Sequence, residues 1–182
     1  MNEAPTLEAL TQLVLGADTC GLELEIILVD DGSNDNSAEI AKDLETRNPS
    51  IKFIGHERNM GKGAALRSGS AVANGDVVLI QDADLEYHPR EYPNLLSPIL
   101  NDRADMVFGS RFAGGQAHRV LYFWHRVGNA FLTLLSNMMS DLNLTDMETC
   151  YNVFRKEILD QVTLRENRFG FESEITKVRP VV

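Results

Sequence analysis

The sequence predicts an α/β sandwich with a mainly parallel central sheet, and three observations predict it. Short, β-branched apolar runs alternate with stretches of helical periodicity. Two of those runs, Leu24 to Val29 and Val77 to Ile80, lead straight into carboxylates, and open α/β sheets bind their ligands at such strand ends. No repeat, low-complexity tract or linker divides the 182 residues, a length that suits one domain with a real core.

The elements follow in order. Leu7, Leu10, Leu13 and Val14 recur at helical spacing, so a helix runs from about Pro5 until Gly16 stops it. The strand Leu24 to Val29 ends in Asp30-Asp31-Gly32-Ser33. Asn36, with Glu39 three residues on, resembles a capping box for a helix that Ala38, Ile40, Ala41 and Leu44 continue and Pro49 ends. A short strand, Ile51 to Ile54, precedes a helix from Gly63 to Asn74 that Gly75 closes. After the strand Val77 to Ile80, Pro89 to Leu100 is helical with interruptions at Pro93 and Pro98. Met106 to Gly109 forms a strand, Ser110 to His118 a loop, and Val120 to Met139 a long apolar helix. A strand over Tyr151 to Phe154 and a helix over Lys156 to Gln161 come last.

Composition narrows the function classes. A net charge of -10 and a pI near 4.8 argue against nucleic acid, whose phosphates are held by basic surfaces. An anionic ligand would therefore be held locally, through a metal or backbone amides. Cys20 and Cys150 lie in no metal-ligand spacing, so buried, reduced thiols in a cytoplasmic protein are expected. Residues 1 to 15 lack the basic start and continuous apolar core of a signal peptide, and no apolar run is long enough to span a membrane.

The chemistry concentrates at Gln81-Asp82-Ala83-Asp84-Leu85-Glu86. In an extended segment residues i and i+2 face the same way, which would aim Asp82 and Asp84 together from the end of the strand. Two carboxylates so close need a proton or a cation between them, and oxygen ligands of this kind suit Mg²⁺ or Mn²⁺. A polar turn would account for Asp-Ala-Asp alone. The second acid-ended strand, with Asp30 and Asp31, favours a nucleotide bound together with a metal, although an Asx turn capping the next helix would also use those residues. Asn59-Met60-Gly61-Lys62-Gly63 is no Walker loop, since five residues separate Gly55 from Gly61 and Gly63 stands where Ser or Thr belongs. The helix start flanked by Lys62 and Arg67 can still attract an anion, or can simply pack closely through its small residues. Gly109-Ser110-Arg111 sets a guanidinium just beyond a strand, where it would hold a phosphate or form a surface ion pair. His118, Arg119, His125 and Arg126 accompany the apolar helix carrying Trp124, Phe131, Leu134 and Leu135. That helix suits a core, or a membrane surface or lipid tail.

In this order, Val29 to Ser33, Asn59 to Gly63, Gln81 to Glu86, Gly109 to Arg111 and Asp146-Met147-Glu148-Thr149-Cys150 resemble the family 2 glycosyltransferases. Within them the resemblance is to the polyprenyl-phosphate sugar transferases. It implies a GT-A fold, a nucleotide-diphosphate sugar donor of the GDP-mannose or UDP-glucose type, and inversion at the anomeric carbon. By position it implies that Asp31, with Asp30 beside it, contacts the nucleotide. Asp82, Asp84 and Glu86 would gather at a metal and the donor diphosphate, and Arg111, with Arg119, would serve a polyprenyl phosphate acceptor at a membrane surface. Relatives open on an apolar strand ending in a Tyr-Asn-Glu-like segment, of which Asn2 and Glu3 alone correspond here. They also continue past Arg168-Phe169-Gly170-Phe171-Glu172, so a single catalytic domain over residues 1–182 lacking its first strand and C-terminal segment is expected. A glycan or small-molecule hydroxyl acceptor, a nucleotide-sugar-binding remnant and a receiver-type signalling domain are the competing assignments.

Overall fold

The computed structural model describes residues 2–85, 87–109 and 151–161. Helix α1 (Ala4–Leu15) carries Pro5 in its first turn, where the absent N–H has no helical partner to lose, and it buries Leu7, Leu10 and Thr11. It packs on α2 (Ser37–Arg47), and Leu7 joins Ala41, Leu44 and Ile51 in one apolar cluster. The capping box expected on α2 does not form. Asn36 makes no side-chain cap; the Asp35 carboxylate accepts instead from the Ser37 N–H at 3.1 Å and from the Ser37 hydroxyl at 2.6 Å. The acid one residue earlier satisfies a free amide at the helix start, which is all that a cap requires.

Strand β1 (Ile26–Asp30) pairs in parallel with β2 (Ile51–Gly55), Ile26 opposite Ile51 and Asp30 opposite Gly55. Helix α3 (Lys62–Val72) lies on β1, and a side chain at Gly69 would already stand 3.3 Å from the Val29 methyl. The second sheet holds β3 (Val77–Ile80), β4 (Met106–Phe108) and β5 (Asn152–Arg155) in the order β3-β5-β4. β3 and β4 share a direction, and β5 runs antiparallel to both neighbours. Nothing in Asn-Val-Phe-Arg encodes that direction. As the middle strand it is the best covered, with Val153 and Phe154 at 0% exposure.

A 3₁₀ turn, Pro89–Glu91, leads into α4 (Tyr92–Leu100), which packs its buried Leu95, Leu96 and Ile99 against this sheet. Neither proline interrupts it: Pro93 occupies the first turn, and Pro98 is carried inside the helix. Helix α5 (Lys156–Gln161) follows β5, and Leu159 reaches Phe154 and Ile80. Cys20 is exposed, contrary to expectation, because it sits in a left-handed turn between α1 and β1. Among the described residues no helix is long and apolar enough to cross a membrane. The segments expected as the loop 110–118 and the helix 120–139 lie outside those residues, as do Cys150 and the motif at 146–150.

β1 and β3 are both edge strands among the described residues. A cavity of about 1000 Å³ lies between them, walled by Ile26, Leu28, Val77 and Leu79 and by Leu10 and Leu96 from the helices. β1 reads Ile-Ile-Leu-Val, the composition of a strand covered on both faces, yet all its residues remain partly exposed. The buried centre of the fold is instead β5. Phe154→Ala should therefore destabilise the fold by about 3–5 kcal/mol, seen as a lower urea midpoint. Leu13→Ala, at a side chain 39% exposed, should move stability by no more than about 0.5 kcal/mol.

Candidate functional site

The site is built where β1, β2 and β3 end. Asp30 closes β1 and accepts hydrogen bonds from both the N–H (3.1 Å) and the hydroxyl of Ser33. Gly32 has φ +69, and a Cβ there would stand 2.6 Å from the Arg58 carbonyl carbon and the Asn59 nitrogen. The turn after β1 thus touches the loop after β2 backbone to backbone, and only glycine permits it. Asp31 fastens the contact. Its Oδ1 accepts from the Met60 N–H at 2.9 Å and lies 2.7 Å from His56 Nδ1, while its Oδ2 accepts from the Gly61 N–H at 2.7 Å. Burial pushes the Asp31 carboxyl up, but the bonds from His56, Met60 and Gly61 together outweigh it and hold the group below its ordinary value.

The acid turn meets this clamp from the other side. β3 stops at Ile80, and residues 83 to 85 form a bend in which Leu85 takes φ 59, so the alternation of an extended strand does not govern Asp82 and Asp84. Tertiary bonds set the turn instead. Lys62, the first residue of α3, donates to Asp82 Oδ2 at 2.8 Å. The Thr6 hydroxyl of α1 donates to the Ala83 carbonyl at 2.7 Å and lies 3.1 Å from Glu3 Oε2. Tyr92 donates to Gln81 Oε1 at 2.6 Å, and burial raises its hydroxyl to about 12, which keeps it a donor.

Glu3, Asp30, Asp31, Lys62, Asp82 and Asp84 consequently line the same cavity. Arg67, further along α3, does not. Glu86, Arg111 and Arg119 lie outside the described residues. Carboxylates outnumber the Lys62 ammonium along this wall, a balance that a cation bound beside an anionic ligand would offset. Asp82 and Asp84 supply the hard oxygen donors that Mg²⁺ or Mn²⁺ prefers, so the donor type fits such an ion. Among the described residues no group of three or more His, Cys, Asp or Glu side chains is gathered to hold one. Sequence inspection passed over His56 and Thr6. A histidine immediately after a strand, at the ligand edge, was the available signal for the first; nothing local marks the second.

Fold and site together define an α/β protein with an acidic cavity wall at the ends of its strands. The chain belongs to glycosyl transferase family 2, whose pattern matches residues 1–163. It is 30% identical over 166 residues to the UDP-N-acetylglucosamine–dolichyl-phosphate N-acetylglucosaminyltransferase of Methanococcus voltae, covering 82% of this chain and 66% of that protein. It is also 30% identical over 173 residues to the dolichol-phosphate mannosyltransferase of Pyrococcus furiosus, covering 94% of this chain and 48% of that one. The chain thus spans from about half to just under two thirds of these relatives. Among solved structures, glucosyl-3-phosphoglycerate synthase from Mycobacterium tuberculosis, determined with Mn²⁺, UDP-glucose and phosphoglyceric acid, superposes with a TM-score of 0.71 at 22% identity over 96% of this chain and 60% of its own. A mannosyltransferase from Pyrobaculum calidifontis, determined with GDP-mannose and Mn²⁺, gives 0.65 at 18% identity over 96% of this chain and 48% of its own. These likenesses establish the GT-A fold.

The low-lying Asp31 carboxyl fixes a sign for pH dependence. A depressed native value stabilises the fold above the ordinary value of 3.8 and loses that contribution as pH falls through the native one. Asp31→Asn should lower stability at pH 7 and flatten its decline below pH 3.8, in urea titrations run at each pH.

Proposed function

We propose that the chain transfers a hexose from a nucleotide-diphosphate sugar to a polyprenyl phosphate, with inversion and with Mg²⁺ or Mn²⁺ held by Asp82 and Asp84 together with Glu86. The observation that carries this is the Lys62–Asp82 pair, which joins the acid turn to the start of α3 on the wall of one cavity, in a chain of this family. The dolichyl-phosphate relatives support the acceptor, and the Mn²⁺ and nucleotide-sugar complexes of the structural neighbours support donor and cation.

A phosphate oxygen of the acceptor attacks the anomeric carbon, the bond from that carbon to the diphosphate breaks, and the electron pair leaves on the diphosphate. A divalent cation would neutralise the charge that develops there. Lys62 adds a positive charge beside the same group, and Asp30 and Asp31 order the turn on which the nucleotide rests. An acceptor phosphate is ionised near neutral pH and needs no general base, in contrast to a sugar hydroxyl. Arg111 and Arg119 are assigned to that phosphate, at the cytoplasmic surface of a membrane. Residues 1–182 would form one catalytic domain. The edge positions that β1 and β3 hold among the described residues favour a second reading, nucleotide-sugar binding without turnover.

Calorimetric titration with GDP and with UDP, each with and without Mn²⁺, tests the donor site. One nucleotide should bind only with the metal, and metal-independent binding would remove the cation from the scheme. Asp84→Asn should abolish metal-dependent binding while leaving the circular dichroism spectrum unchanged. In a transfer assay with polyprenyl phosphate, Arg111→Ala should raise the acceptor KM and leave the donor KM in place; equal losses would reassign Arg111. Binding without transfer by the wild-type chain would select the second reading.

A further inference from the structure

We propose that His56 is a positioning residue for the donor site, acting through Asp31 to set the start of α3 and hence Lys62; this rests on the donor-site reading above. His56 follows β2 directly, and its backbone N–H donates to the Asp30 carbonyl at 2.8 Å. Its ring is only 10% exposed and is spanned by two polar partners. Nδ1 lies 2.7 Å from Asp31 Oδ1, and Nε2 lies 2.9 Å from Ser68 Oγ. The Asp31 carboxylate only accepts, so Nδ1 donates to it, and Nε2 shares the second hydrogen bond with the Ser68 hydroxyl.

The two contacts grip the same helix. Ser68 belongs to α3, and Gly61, whose N–H is held by Asp31, is its N-cap. Seven residues apart, Gly61 and Ser68 fall on one helical face, since two turns take about 7.2 residues. The Asp31 bond to Gly61 sets where the helix starts, and the Ser68 contact two turns on is an additional hold on the same face. Lys62, next to the first of those holds, is thereby directed at Asp82. Among the described residues Asp31 and the Ser68 hydroxyl are bonded to the ring, and Asp31 ties Met60 and Gly61 to it.

The two ring nitrogens can be replaced one at a time. In His56→Asn the side-chain NH₂ stands near the place of Nδ1 and can still donate to Asp31. In His56→Gln the longer amide reaches toward the place of Nε2 and Ser68. Two readouts apply to both variants and to Ser68→Ala: Mn²⁺-dependent affinity for GDP and UDP, and amide hydrogen exchange of Met60 and Gly61 by NMR. His56→Gln should speed exchange at those amides and weaken nucleotide affinity by about tenfold each, whereas His56→Asn and Ser68→Ala stay within about threefold of wild type. The reverse order, or losses that merely follow the thermal midpoint of each variant, would overturn the assignment. If the wild-type chain binds neither nucleotide, the donor-site reading fails by itself. The exchange rates then decide His56: the same order upholds its hold on the loop through Asp31, and equal rates in all variants refute it.

Discussion

At 11% exposure the Asp31 carboxylate is costly to bury unless donors replace the water it has lost, and His56 with the amides of Met60 and Gly61 does so. The other site residues take their positions from that cluster of bonds. Gly61 begins α3, Lys62 reaches from there to Asp82, and Thr6 of α1 holds the neighbouring Ala83 carbonyl. Three strand ends and two helix starts are brought to one place by single hydrogen bonds.

That place is acidic and opens onto an apolar cavity between two strand edges. Electrostatics alone would repel a phosphate from Glu3, Asp30, Asp31, Asp82 and Asp84, so a bound cation is the natural complement to the wall. The carboxylates divide the labour. Asp31 is occupied in holding backbone and Asp30 in holding Ser33, while Asp82 is shared with an ammonium that a ligand phosphate could recruit. Membership of glycosyl transferase family 2 is consistent with this arrangement, and the structural neighbours supply the fold that frames it.

Much of this was visible in the amino-acid order. The helices over Ala4–Leu15 and Lys156–Gln161 and the strand Val77–Ile80 follow from periodicity and from β-branched runs. The two acid-ended strands, with Asp30-Asp31 and Asp82-Asp84, pointed to the strand ends that line one cavity. The capping residue of α2 was misplaced by one position, because Asn and Asp both cap and local sequence does not say which side chain will turn back. Pro98 reads as a breaker, yet α4 accommodates it because Leu95, Leu96 and Ile99 are buried on the sheet and packing outweighs propensity.

Local spacing and the order of motifs along the chain were enough to carry the α/β class, the family and the acids at the strand ends. Which bonds those acids make is decided in three dimensions. The direction of β5, the bend that removes Asp82 and Asp84 from strand alternation, and the grip of His56 on Asp31 and Ser68 all depend on contacts between distant residues. A hydrogen bond across 25 residues, such as that between Asp31 and His56, leaves no period in the sequence; it exists because β1 and β2 pair in parallel and end together.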